Sequence, residues 1–139
     1  METREGMTQI ELCFLLLILF QFKHFLADFP LQVNYMIFHK TSAKWDFFVP
    51  LLLHSLVHSS FTLIITLVFA PQVWWLFIVD TLVHFTMDRA KSSPRYLGRF
   101  NDITKGPFWW CLGFDQMVHH LTDLFSIWII LQAVAAYAA

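Results

Sequence analysis

His24-Phe25-Leu26-Ala27-Asp28-Phe29-Pro30-Leu31-Gln32 closes an apolar run that starts at Cys13. Sixty positions later the chain writes His84-Phe85-Thr86-Met87-Asp88. In both stretches phenylalanine follows the histidine and an aspartate stands four residues after it. Four residues is about one helical turn, so histidine and aspartate share one helix face. Two more stretches keep that spacing: His54-Ser55-Leu56-Val57-His58 and Asp115-Gln116-Met117-Val118-His119. An ionisable pair at i and i+4 therefore recurs four times, each time inside or beside an apolar run.

The surroundings of these pairs set the fold class. The chain has 139 residues, 58% hydrophobic and 14% charged, against roughly 25% charged in a soluble domain. Its mean hydropathy is +0.58. This composition reads as a membrane protein. Four spans of about 20 residues fit the length, and no second domain does. The expected fold is all-α: a polytopic four-helix membrane bundle in a single domain, 1–139, with spans near 9–29, 46–70, 72–90 and 108–137. No basic block of the kind that grips a phosphate backbone is present, so nucleic acid is not an expected partner. The first apolar run lacks a small-x-small cleavage site and leads directly into the first pair, so it reads as a span, not a signal peptide. Cys13 and Cys111 fall toward opposite membrane faces on this reading and are expected to stay unpaired.

Orientation follows from the basic residues. Lys40 and Lys44 fall in the connection 33–45, and Lys91, Arg95, Arg99 and Lys105 fall in 91–107. Arg4 and an uncharged turn mark the other side. The positive-inside rule puts both basic loops in the cytoplasm. All four pairs then land at a similar depth in the cytoplasmic half. His24 maps to His84 and Asp28 to Asp88 at one offset, and His54 maps to Asp115 and His58 to His119 one residue further. The chain thus reads as two tandem helical hairpins related by a pseudo-twofold axis along the membrane normal.

An ionisable residue inside a span costs about 2.5–3.5 kcal/mol on insertion scales. Eight at one level must pair or bind something. Five histidines and three aspartates are ligands for Zn, Fe or Mn, and four helices presenting inward pairs match the layout of two-metal carboxylate bundles. The expected ligands are His24, Asp28, His54, His58, His84, Asp88, Asp115 and His119, serving two divalent ions, with Zn favoured over Fe or Mn. A proton relay and a polar network joining the helices are the other readings of the same residues. Asp80 and Asp123 each stand one turn from a histidine and are expected to orient it, to serve as ligands themselves, or to face a polar cavity. Gln32 and Lys91 fall at the cytoplasmic mouth, where Lys91 either holds an anionic group or snorkels to the interface. His120 falls one position off the inward face.

The four motifs in this order, over about residues 12–135, resemble a family of small bacterial and phage membrane proteins of unknown function. More distantly the chain is similar to proteins called membrane-bound metal-dependent hydrolases. That resemblance implies a His/Asp metal centre within spans and adds a little weight to hydrolysis.

Four functions compete. The first is a two-metal hydrolase of a lipid or a lipid-linked phosphate or ester, with Asp28, Asp88 and Asp115 supplying base and ligands and Lys91, Arg89 and Arg95 attracting an anionic headgroup. The second, transport or relay of a divalent ion or proton, needs polar residues continuing outward. The outer halves of the spans offer only Thr62 and Thr66. The third is a metal-stapled membrane effector acting through a protein partner or as a homo-oligomer. The fourth, a membrane di-iron oxidase, is met by His54 and His58 but poorly by the aspartates.

Overall fold

Thr8 and Glu11 start the first helix. The Thr8 hydroxyl accepts the Glu11 N–H at 3.3 Å and the Glu11 carboxylate accepts the Thr8 N–H at 2.7 Å, a reciprocal cap that satisfies two donors at the helix start. From there α1 runs Gln9–Asp28. Phe29 caps it just before Pro30, a residue that cannot continue the helix. The computed structural model describes residues 2, 3 and 6–138. Arg4, which enters the charge asymmetry, lies outside them. Glu2–Thr3 pairs antiparallel with Met7–Thr8 across Gly6, whose φ of 84° suits glycine.

Four further helices follow: α2 Asn34–His39, α3 Phe48–Phe69, α4 Leu76–Ser92 and α5 Gly106–Ala138. The 33–45 connection is thus partly helical, not merely polar coil. Pro50 sits in the first turn of α3, where its missing N–H costs nothing. Helix α3 packs on α1 and α4, and α5 packs on α4 and α1, which closes a ring of the four long helices.

Among the described residues, three segments are long and apolar enough to cross a membrane: Gln9–Asp28, Trp45–Phe69 and Gly106–Tyr137. The expected third span, 72–90, is the exception. Its helix α4 starts later, at Leu76, and is 17 residues long. It carries Asp80, Asp88, Arg89 and Lys91 among them, so length and charge both hold it below the other three.

The exposed faces are apolar and much of the interior is polar. On α1, Ile10, Phe14, Ile18, Phe22, Phe25 and Phe29 face outward, whereas Lys23 and His24 are buried beside Leu16, Phe20 and Ala27. Water would favour the opposite arrangement. The interior has two layers. An apolar layer joins Leu12, Leu16 and Phe20 to Ile65, Val73, Leu76, Ile127 and Ile130, at the end where α1 begins and α3 turns into α4. The polar layer fills the other end.

A candidate His/Asp metal centre

Every residue pair of the sequence reading reaches the polar layer. His24, His54, His58, His84, Asp88, Asp115 and His119 are buried, and Asp28 is half-buried. The rings of His84 and His119 stack at 4.1 Å with planes 3° apart, and His84 stacks on His58 at 4.0 Å. Helices α3, α4 and α5 therefore build one histidine column, and His24 of α1 meets its His58 end edge-on at 5.5 Å.

Acceptor oxygens, from the Asp28 carboxylate and the Asp80 backbone, fix the proton on three of these rings. The Asp28 oxygens lie 3.0 Å from His24 Nε2 and 3.1 Å from His58 Nε2. His24 Nε2 also faces Gln116 Oε1 at 3.2 Å. His84 Nδ1 is hydrogen-bonded to the Asp80 backbone carbonyl at 3.1 Å, and an Asp80 carboxylate oxygen lies 2.9 Å from the same nitrogen without forming a hydrogen bond. A nitrogen that faces an acceptor holds the proton and donates it, so the opposite ring nitrogen keeps its lone pair. Those opposite atoms are His24 Nδ1, His58 Nδ1 and His84 Nε2. Each is buried without a hydrogen-bond partner, as is His119 Nε2. A carboxylate behind an imidazole whose other nitrogen is free is how metal-binding histidines are oriented.

Among the described residues, ligand atoms gather in three groups, each within 4.8 Å: Asp28 with His54 and His58, Asp88 with Asp115 and His119, and His24 with His58 and His84. The first two groups are equivalents under the offsets read from the sequence. Asp28 corresponds to Asp88, His54 to Asp115, and His58 to His119. The donor set, imidazole nitrogen plus carboxylate oxygen, fits a borderline divalent ion such as zinc, iron or manganese. These buried His/Asp clusters are able to hold a metal ion.

Two of the groups meet through His54, whose Nε2 lies 3.4 Å from Asp28 and 3.1 Å from Asp88. Gln32 donates to His54 from the mouth at 3.3 Å. Lys91 Nζ lies 2.6 Å from Asp115, and Lys40 Nζ lies 3.6 Å from Asp88. A cavity of about 220 Å³ opens here, bounded by Gln32, Lys40, Lys91, Gln116 and the carboxylates of Asp28 and Asp88.

Lys23 is the residue sequence reasoning passed over. It is 1% exposed, with its ammonium 2.8 Å from Asp80 and 2.7 Å from Asp123. Asp123 therefore binds a lysine where a histidine partner was expected. A signal was available: a lysine inside an apolar span, beside His24, is costly enough to demand a partner. Lys40 was read only as a loop charge. Arg89, expected at a headgroup, instead donates to the Ser42 carbonyl at 2.8 Å and stacks on Phe47 at 3.5 Å. His120 stacks on His24 at 5.1 Å from beside the centre. Cys13 and Cys111 are both free thiols.

Fold and site together define a class, a helical protein with three membrane-length helices and a buried His/Asp centre. The chain belongs to the protein family of unknown function DUF3307, whose model matches residues 14–138. No curated protein and no solved structure matches it.

Proposed function

We propose that this is an integral membrane metalloprotein, a two-metal hydrolase of a lipid or lipid-linked phosphate or ester. The observation that carries the proposal is the pair of offset-related ligand groups, surrounded by buried imidazole nitrogens with free lone pairs. On this reading α4 joins the three longer helices as a fourth span of the bundle, short because it is sheathed by α3 and α5. The basic loops face the cytoplasm of an inner membrane, which sets the mouth of the centre at headgroup depth.

Two divalent ions, zinc first among them, would activate water and stabilise charge on an ester or phosphoryl oxygen. The chain's own residues supply the rest. His24, Asp28, His54 and His58 serve one half of the centre, and His84, Asp88, Asp115 and His119 the other. Asp28, half-buried at the mouth, is the carboxylate placed to take a proton from water entering the cavity. Lys91 holds the substrate's anionic group. Water adds across the ester bond, and an alcohol and an acid leave.

The apolar layer disfavours transport. Leu16, Phe20, Ile65, Leu76 and Ile130 close the interior beyond the polar layer. Thr62 donates inward to Asp80 at 2.5 Å, and Thr66 donates to the Leu63 carbonyl of its own helix. Neither continues a polar path outward.

The test is turnover of long-chain p-nitrophenyl phosphate and carboxylate esters by purified protein, metal-stripped and reconstituted, beside an Asp28→Ala/Asp88→Ala variant. The proposal expects release of p-nitrophenol that requires metal and disappears in the variant. Equal rates in stripped protein or variant would overturn it. Metal binding without turnover of either ester would leave the metal-stapled effector as the better reading.

A further inference from the structure

A second cavity of about 230 Å³ adjoins the centre. It shares Lys40, Asp88 and Lys91 with the polar cavity, so these three residues form a common wall. Its other walls differ in character: Leu97, Phe100, Phe108, Cys111 and Leu112 are apolar. The loop after α4 builds part of this wall. Gly98 is pressed so close to α4 that a Cβ there would stand 2.7 Å from the Ser92 and Ser93 carbonyl oxygens, and the Gly98 N–H donates to the Ser93 carbonyl at 3.0 Å. The pocket is thus pinned in place at the end of α4, one wall away from the histidine column.

We propose that this pocket takes a single-chain lipid phosphate monoester, with its phosphate at the shared wall between Lys40 and Lys91. The proposal names the substrate class of the centre described above and rests on that reading for its chemistry. Two ammonium groups from different segments converge on one wall, Lys40 3.6 Å from Asp88 and Lys91 2.6 Å from Asp115. With those carboxylates committed to metal, the two would be left to a phosphate monoester, which carries close to two negative charges at neutral pH. Lysine binds phosphate as a point charge, with no need of a forked geometry. The apolar side accepts the carbons next to the phosphate. Both cavities fall below the roughly 300–1,000 Å³ of pockets that enclose a drug-sized ligand. The pocket therefore holds the head and the first part of the chain, and the rest lies along the apolar outer surface. A doubly chained amphiphile exceeds the size, and a cationic one carries the wrong charge.

Cys111 is a built-in reporter because it lines the pocket, while Cys13 lies on α1 against the apolar layer. Metal-loaded protein in non-ionic detergent is alkylated with N-ethylmaleimide, and each cysteine is followed by peptide mass spectrometry. The probes are dodecyl phosphate, dodecanol, dodecyltrimethylammonium and inorganic phosphate. Dodecyl phosphate at ten times its dissociation constant is expected to slow Cys111 about tenfold by simple occupancy, with Cys13 unchanged. A Lys40→Gln/Lys91→Gln variant is expected to lose the protection and a Lys40→Arg/Lys91→Arg variant to keep it. Equal protection by dodecanol or by dodecyltrimethylammonium would overturn the proposal, because recognition would then lie in the chain alone. Equal protection by inorganic phosphate would overturn it too, since the ligand would be a free anion. Protection that persists in metal-stripped protein would support the pocket, because the lysines hold the phosphate, and turnover of the metal-loaded protein then tests the hydrolase separately. No protection in a sample that retains its metal would overturn the pocket and leave the centre standing.

Discussion

Lys23 Nζ lies 2.8 Å from an Asp80 carboxylate oxygen, with both side chains 1% exposed. Asp123 accepts a second bond from the same ammonium at 2.7 Å, and Thr62 donates to Asp80. The group stands at the boundary of the apolar and polar layers. Removing one partner of a buried charge set leaves the others unpaired in low dielectric, at a cost of about 3–5 kcal/mol. Lys23→Met is therefore expected to destabilise the protein by that amount in detergent unfolding. Lys23→Met/Asp80→Asn/Asp123→Asn is expected to recover most of the loss, because no unpaired charge remains. Unchanged stability in the single variant would contradict this reading of the triad.

Asp80 has a second role, since its carboxylate also lies 2.9 Å from His84 Nδ1. The Asp80 carbonyl accepts the proton of that nitrogen at 3.1 Å, the carboxylate places its charge beside it, and His84 Nε2 keeps its lone pair for a metal. Loss of such a supporting carboxylate lowers metal affinity about 10–100-fold. Asp80→Asn is expected to show that loss in competition with a chromogenic chelator. Asp123→Asn is the control: it also strips Lys23 of a carboxylate but leaves the Asp80–His84 contact in place. Equal effects of the two variants would mean that the charge set, and not the orientation of His84, governs affinity.

The equivalence of His54 and Asp115 makes a separate prediction. If the two hairpins present interchangeable ligand positions, each place accepts either ligand type. Asp115→His is expected to retain most of the bound metal, whereas Asp115→Ala loses one equivalent. Metal analysis of the two variants reads this directly. A loss in Asp115→His as large as in Asp115→Ala would show that the halves are not interchangeable.

Gly98 tests the loop that closes the apolar pocket. A methyl group there would meet two carbonyl oxygens at 2.7 Å, and overpacking of this kind costs about 1–3 kcal/mol. Gly98→Ala is expected to shift the loop away from α4 and to speed alkylation of Cys111 while leaving Cys13 unchanged. Slower or equal labelling of Cys111 would argue against the loop as a wall of the pocket.

The i and i+4 pairs were legible because a helix converts that spacing into a shared face, and all eight residues reach one polar layer. The apolar runs likewise marked α1, α3 and α5. The limits of α4 were less legible, since charged residues of the centre dilute its apolar signal and Trp74 and Trp75 precede it in a turn. Helix α2 was missed because Asn34–His39 is too short to show a periodicity. Contacts between distant segments were not legible at all. Nothing in the sequence brings Lys23 to Asp123 rather than leaving Asp123 for His119, because that choice depends on how α1 and α5 pack. The adjacency of Lys40 to Asp88 likewise depends on where α2 folds back.

The central claim is that the histidine column and its carboxylates hold metal. Elemental analysis by mass spectrometry of detergent-purified protein tests it most directly, with a His54→Ala/His58→Ala variant alongside. These substitutions remove two members of one ligand group and one member of the three-histidine group. The account predicts about two equivalents of zinc, iron or manganese per chain, with a clear loss in the variant. Absence of metal in both proteins after attempted reconstitution would contradict it, and would leave the buried pairs as a proton relay or as polar joints between helices.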